Sequence, residues 1–140
     1  FIGRGLDYAA ALEAALKMKE ITYIHAESCP AGELKHGTIS LVEPGMRVFA
    51  FLSQPVTASK TVNNIKEVRA RGAYTICCAP QSIAERLTDI DELIVLPDIE
   101  PLFFNIIEVV PFQFYAYYTA LARGCDIDKP RNLAKSVTVE

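Results

Sequence analysis

The chain has 140 residues, of which 51% are hydrophobic and 22% charged, and it carries a net charge of −3. That length makes one domain or half of a larger one, able to bury roughly two-thirds of its unfolded surface. The 14 basic residues form no stripe, no apolar run reaches the about 20 residues that span a bilayer, and no signal peptide or CxxC spacing is present, so neither a nucleic-acid binder nor a membrane protein is expected, and no metal or cofactor.

Phe1 and Ile2 read as the end of a strand, with Gly3-Arg4-Gly5 as the turn after it. The chain is therefore expected to begin inside an element, as an excised fragment or a processed piece. Asp7 is placed to cap a helix over residues 8–21. Residues 26–37 contain Pro30, Gly32 and Gly37 and read as a loop without regular structure. Residues 38–42 are short and β-branched, and Glu43-Pro44-Gly45 is a turn. RVFAFL, over 47–52, is a buried strand.

Pro55 then opens a loop. Residues 57–71 form an amphipathic helix with Val62, Ile65 and Val68 inward, ended by Gly72. AYTICCA, over 73–79, is a second buried strand, and its Cys77 and Cys78 read as reduced core residues of a cytosolic protein. Residues 82–87 make a short helical turn, and LIVL over 93–96 is a strand closed by Pro97. Residues 102–123, rich in Phe and Tyr, read as a buried helix that Gly124 ends. That helix carries too many large side chains for one face, which predicts a two-fold dimer. Tyr115, Tyr117 and Tyr118 read as core and interface packing. The last residues, 125–140, have no strong period.

Apolar strands that alternate with helices predict an α/β fold: a three-layer αβα, doubly wound parallel sheet covered on both faces. Ligands of such sheets sit at the carboxyl ends of the strands. Ser53-Gln54-Pro55-Val56-Thr57-Ala58-Ser59 lies at such an end, before a helix N-terminus, where phosphates are held. It contains no glycine and offers few donors, so it is a poor cradle.

The densest group of ionisable residues is EAALKMKEITYIHAESCPAGELKHG, from Glu13 to Gly37. With Glu13 at zero, Lys17 falls at about 40° and Glu20 at about −20° around a helix, so the three share a stripe. Leu12 and Leu16 flank it on one side, and Ala10, Ala14 and Ile21 on the other. Glu13 and Lys17 can pair at i, i+4, which leaves Glu20 facing whatever the apolar flanks face, as at the floor of a pocket. Glu20 is then either an i+3 partner of Lys17 or a carboxylate able to take a carbon-bound proton. His36, between Gly32 and Gly37, is either a solvated loop residue or an imidazole that shuttles a proton near pH 7. His25 reads as structural. Lys135, near the C-terminus, reads as solvated on its own.

The run ALEAALKMKEITYIHAESCPAGELKHGTISL, the tail DKPRNLAKSVTVE, Gly3-Arg4-Gly5 and IKEVRARG together resemble the second sugar-isomerase (SIS) domain of glutamine:fructose-6-phosphate aminotransferases, the glucosamine-6-phosphate synthases. The resemblance spans the whole chain, and the tail is its most specific part. It implies a flavodoxin-like SIS domain over 1–124 and a C-terminal active-site tail over 125–140. It implies the synthesis of glucosamine 6-phosphate from fructose 6-phosphate and glutamine-derived ammonia, in amino-sugar metabolism. Glu20 matches the acid/base that moves a proton between C1 and C2, and Lys135 the lysine that forms an imine with the open-chain sugar. His36 matches the ring-opening histidine that enters from the partner subunit of a homodimer. Glu13 and Lys17 match charged residues beside them in the substrate site.

The resemblance also implies a first SIS domain, whose serine- and threonine-rich loop holds the sugar phosphate, and a glutaminase domain. Neither lies within these 140 residues, so the chain alone is expected to be inactive. Ser53-Gln54 stands where an internal duplication would place that loop. Ala14 and Cys29 stand where a glycine and an aromatic are expected, which bears on packing. A second class of function stays open: a regulatory SIS module that binds sugar phosphates, or a fructosamine-phosphate deglycase. The joint presence of Glu20, His36 and Lys135 favours the synthase, because a sensor has no use for an imine-forming lysine. Leu133, Ala134, Val137 and Val139 predict a tail that packs down with Lys135 over the Glu20 stripe, and Arg131 is expected to hold it through a carboxylate.

Overall fold

A computed structural model describes residues 1–133. Among these, five strands form one sheet: β1 (Ile2–Gly3), β2 (Cys29–Pro30), β3 (Arg47–Phe51), β4 (Tyr74–Pro80) and β5 (Glu92–Leu96). Every pairing is parallel, and the spatial order is β2-β1-β3-β4-β5. Four α-helices among the described residues connect or cover the strands: α1 (Leu6–Thr22), α2 (Pro55–Arg69), α3 (Gln81–Ala84) and α4 (Phe104–Ala122). This is the expected three-layer, doubly wound architecture, in the flavodoxin-like strand order.

Strand side chains alternate between the two faces, so each strand feeds two cores. Val48, Ala50 and Leu52 point to the layer that holds Ile65 and Val68 of α2 and Ala84 of α3. Phe49 and Phe51 point the other way, against Ala10, Ala11 and Ala14 of α1 and Phe112 of α4. The Phe112 ring centroid lies 4.5 Å from that of Phe51 and 5.7 Å from that of Phe49. The chain steps outward from β1 to β2, then back across to β3. The switch point therefore falls between β1 and β3, and the turns after them, Arg4–Gly5 and Ser53–Gln54, adjoin there.

Several local expectations change. Asp7 does not cap α1: Gly5 takes that position, and Asp7 is wholly buried inside the first turn. The loop over 26–37 contains the edge strand β2, because the amides of Cys29 and Ala31 bond to the carbonyls of Phe1 and Gly3 at 2.9 and 2.8 Å. Pro30, between them, has no N–H to give, which an edge strand tolerates. The short, β-branched Thr38–Leu41 is a 3-10 turn. Ser40 gives both its amide and its hydroxyl to the Gly37 carbonyl, at 2.9 and 2.7 Å, and closes the turn despite the β-branched composition. Pro55 starts α2 instead of preceding it; its fixed φ and missing N–H suit a first helical turn.

The helix over 102–123 is not buried on all sides. α4 buries a ladder of every fourth residue, Phe104, Glu108, Phe112, Ala116 and Ala120. It turns Ile106, Phe114, Tyr118 and Leu121 outward, with Ile106 68% exposed. No helix among the described residues is long and apolar enough to cross a membrane.

The entry of α1 is tight. A Cβ on Gly3 would meet the Asp7 carbonyl carbon and oxygen at 2.5 Å, and these are backbone atoms that cannot swing away. Gly3→Ala is therefore expected to cost at least about 2 kcal/mol, at the upper part of the overpacking range. Urea unfolding measures it. A loss below about 0.5 kcal/mol, the scatter of a neutral surface substitution, would show that β1 and α1 can separate freely.

Candidate active site

α1 presents its ionisable stripe because its opposite face is committed. Ala10, Ala11, Ala14, Ala15 and Met18 are buried toward the sheet and α4. Residues three and four apart share a side of the helix, so Glu13, Lys17 and Glu20 rise together at the border of the open side. Lys17 Nζ lies 2.6 Å from Glu20 Oε2 and 3.5 Å from Glu13 Oε1. The tighter partner is thus Glu20 and not the i, i+4 residue Glu13. The three side chains are 26 to 39% exposed, which leaves them open to a ligand. Glu20 holds the Lys17 ammonium above its ordinary pKa, and Glu13 adds to this, so Lys17 is a fixed cation between two carboxylates.

Leu12 and Leu16, beside the stripe, are 47% and 42% exposed. Within this chain the stripe is an open face of α1 rather than the floor of a closed pocket. A cavity of about 420 Å³ lies elsewhere, at the amino ends of the strands, between Met18, Cys29, Leu34, Val48, Phe49 and Tyr115.

His36 closes a 3-10 turn, Leu34–His36, that follows β2. Leu34 buries itself, and Lys35 Nζ meets Glu67 Oε1 of α2 at 2.6 Å, so the turn is pinned at two points. The Lys35 ammonium holds the Glu67 carboxyl below its ordinary range. The His36 side chain itself is 74% exposed, with Nε2 3.9 Å from Glu33 Oε2. Among the described residues no hydrogen bond or ion pair joins it to the α1 stripe. His25 is exposed and borders the cavity.

Lys135 lies outside the described residues, as do all of residues 134–140. The segment leading to it is tied to the far end of α1. Tyr23, the C-cap of α1, adopts the left-handed conformation at φ 60°. Its hydroxyl accepts the Arg131 amide at 2.9 Å, and the Arg131 guanidinium lies 4.1 Å over its ring. Arg131 therefore rests on an aromatic face rather than on the expected carboxylate. Nearby, the Asp126 carboxylate accepts the amides of Asp128 and Lys129 at 3.1 and 2.9 Å, making a compact turn.

Sequence reasoning missed a second group at the carboxyl end of β3. The Asp7 carboxylate accepts the Ser53 amide at 3.2 Å on both oxygens, and also the Ser53 hydroxyl. Gln54 Nε2 donates to Ser53 Oγ at 3.0 Å and to the Pro101 carbonyl at 3.1 Å. The Ser53 and Gln54 donors of this segment are thus spent inside the protein. Glu108 of α4 is buried beside them. The signal for it was its place four residues from both Phe104 and Phe112, on the inner face of α4.

Residues 1–123 match the SIS domain family. The chain is 53% identical, over all 140 residues, to part of a glutamine–fructose-6-phosphate aminotransferase (isomerizing) of Caldanaerobacter subterraneus subsp. tengcongensis. It is 54% identical over the same length to the enzyme so named in Bacillus subtilis strain 168. In both cases it spans 23% of the relative's length. Among solved structures it resembles the C-terminal domain of glucosamine-fructose-6-phosphate aminotransferase from Francisella tularensis, with a TM-score of 0.88 and 38% identity, covering 92% of this chain and 36% of that one.

Proposed function

Because this chain belongs to the SIS domain family, we propose that it is the isomerase half-site of a glutamine:fructose-6-phosphate aminotransferase, with residues 1–124 as the SIS domain and 125–140 as an active-site tail. The observation that carries this reading is the Glu13–Lys17–Glu20 stripe, an ordered carboxylate–ammonium–carboxylate array open on one side, in a chain so similar to part of those enzymes. The four cysteines are free, which suits a cytoplasmic setting.

The chemistry asks for little machinery. The substrate, fructose 6-phosphate, has its carbonyl at C2, and the product has an amine at C2 and an aldehyde at C1. His36, supplied by a second copy, delivers a proton to the ring oxygen as the anomeric hydroxyl at C2 loses its own, so that the C2–O ring bond breaks and the sugar opens. The Lys135 amine adds to the C2 carbonyl and water leaves, forming an imine. Ammonia replaces the lysine nitrogen at the same carbon and frees Lys135. The Glu20 carboxylate then takes a proton from C1 and returns it to C2, while the C1 hydroxyl gives up its proton and the C2 nitrogen gains one, leaving an aldehyde at C1 and an amine at C2. Lys17 keeps Glu20 in place for both transfers, and Glu13 and Lys17 hold sugar hydroxyls. For the amine of Lys135 to act it must shed the proton that a free lysine keeps at pH 7, which requires a desolvated or cation-rich seat.

The phosphate and the ammonia come from elsewhere in a longer protein. Ser53 is already engaged by Asp7, so a first SIS domain is the better holder of the sugar phosphate, and a glutaminase domain the ammonia source. A second copy of this chain is the proposed occupant of the outward face of α4. The exposed side chains of Ile106, Phe114, Tyr118 and Leu121 form its apolar part, and His36, which on its own chain touches no part of the stripe, is what the second copy contributes.

Three measurements test these assignments. In the full-length enzyme, Glu20→Gln is expected to retain folding and sugar binding but to lose about 10²–10⁴-fold in isomerisation, the usual worth of a proton-relay group. Full activity in that variant removes Glu20 from the mechanism. Borohydride added during turnover is expected to fix the sugar on Lys135; trapping on another lysine, or none at all, overturns the imine role. Light scattering of the 140-residue chain at micromolar concentration is expected to return twice the monomer mass, and a monomer would count against the two-fold contact.

A further inference from the structure

Three elements meet at the carboxyl end of β3, and each brings a polar side chain into the core. Asp7 comes from α1, Ser53 from the β3–α2 turn and Glu108 from α4. None is exposed by more than 1%. Burial raises the Asp7 pKa, but Asp7 receives both the amide and the hydroxyl of Ser53, which favour its ionised form. Glu108 is in the opposite position. Both its carboxyl oxygens are buried, and neither has a hydrogen-bond partner among the described residues. From α1 it is faced by Asp7, from the β3–α2 turn by Ser53, and from β4 by the thiol of Cys78. No cation among these neighbours offsets it.

Two carboxylates side by side in an apolar core do not both ionise. The rest of the environment decides which keeps the proton, and the Ser53 amide and hydroxyl, both directed at Asp7, favour Asp7 as the anion. We propose that Glu108 is a buried proton-binding site whose proton latches α4 to α1 and to the end of β3, and that loss of this proton loosens α4. When protonated, Glu108 is neutral and has an O–H to offer the Asp7–Ser53 pair. When ionised, it is a second negative charge with nothing to neutralise it. Burial, and then the charge of Asp7, push its pKa from 4.5 up to about 8, against a smaller opposing pull from the nearby Ser53 hydroxyl.

The direction of the effect follows from linkage. The folded form binds the proton more tightly than the unfolded chain, so this contribution to stability is complete below 4.5, falls as pH rises, and is gone above about 8. α4 is also the helix whose outward side bears Ile106, Phe114 and Tyr118. Its seating on the sheet is thereby tied to pH within the range that a cell can reach. The inference stands apart from the sugar chemistry, because it uses none of the stripe residues.

The test is a carboxyl-carbon NMR titration of the glutamate-labelled 140-residue chain, with amide hydrogen exchange of α4 on the same samples. The Glu108 signal is expected to titrate with a midpoint between about pH 7 and 9, and to be absent from Glu108→Gln. After correction for the intrinsic rate, α4 exchange is expected to rise about fivefold or more from pH 7 to 9 in the parent chain, and by under about twofold in Glu108→Gln. A Glu108 midpoint below about pH 6 overturns the proposal, as does an equal rise in both proteins. If Glu108→Gln does not fold, the titration and the exchange of the parent chain decide the matter alone: a neutral Glu108 at pH 7 with α4 loosening as it ionises supports the latch, and either one missing sinks it.

Discussion

The bond between Asp7 and Ser53 sets how α1 sits, and most of the molecule depends on that seating. α1 enters through Gly3, where strand and helix backbones nearly touch. A helix that starts so close can still rotate about its axis. Asp7 removes that freedom by reaching across to the amide and hydroxyl of Ser53. With the rotation fixed, Ala10, Ala11 and Ala14 meet the sheet, and Glu13, Lys17 and Glu20 stand on the open side. A polar contact at the first turn thus determines which face is offered further along the helix.

The same contact settles the use of the switch point. In open parallel sheets this crevice is where ligands bind. Here a carboxylate of the protein itself engages the donors at the end of β3, and a second carboxyl, Glu108, backs onto it. The candidate ligand-facing groups lie instead on the side of α1 and on the turns around it. His36 sits on a turn pinned to α2 by Lys35 and Glu67, and the approach to the tail is held against Tyr23. The pinned turn leaves the His36 side chain exposed, away from the chain's own core.

α4 has a comparable double role. Every fourth residue is buried, and Phe112 carries much of the packing against Phe49 and Phe51. The other side is apolar and exposed. A helix this rich in Phe, Tyr, Ile and Val reads the same whether it is buried on all sides or keeps an apolar face for a second surface. Only the packing of α1 beside it reveals which side is free.

The order and type of the main elements were legible from residue chemistry. Strands such as β3 are apolar along their buried run, Val48–Phe51, because both faces of a parallel sheet are covered, and the inward spacing of Val62, Ile65 and Val68 marks α2. The Glu13–Lys17–Glu20 stripe followed from helical spacing alone, since its members are local in sequence. What local chemistry could not supply was anything that depends on a distant partner. β2 is two residues long and exists through its bonds to the carbonyls of Phe1 and Gly3. Asp7 looked like a cap because nothing nearby showed that Ser53, 46 residues later, would compete for it. In the sequence Glu108 is one charge in an apolar run, and only packing places its carboxyl beside Asp7, 101 positions earlier. Periodicity and propensity are short-range properties, so the chain's own order determined its helices, strands and stripe. Burial and the pairing of charges are set by elements far apart in sequence, so they were decided only when the sheet closed.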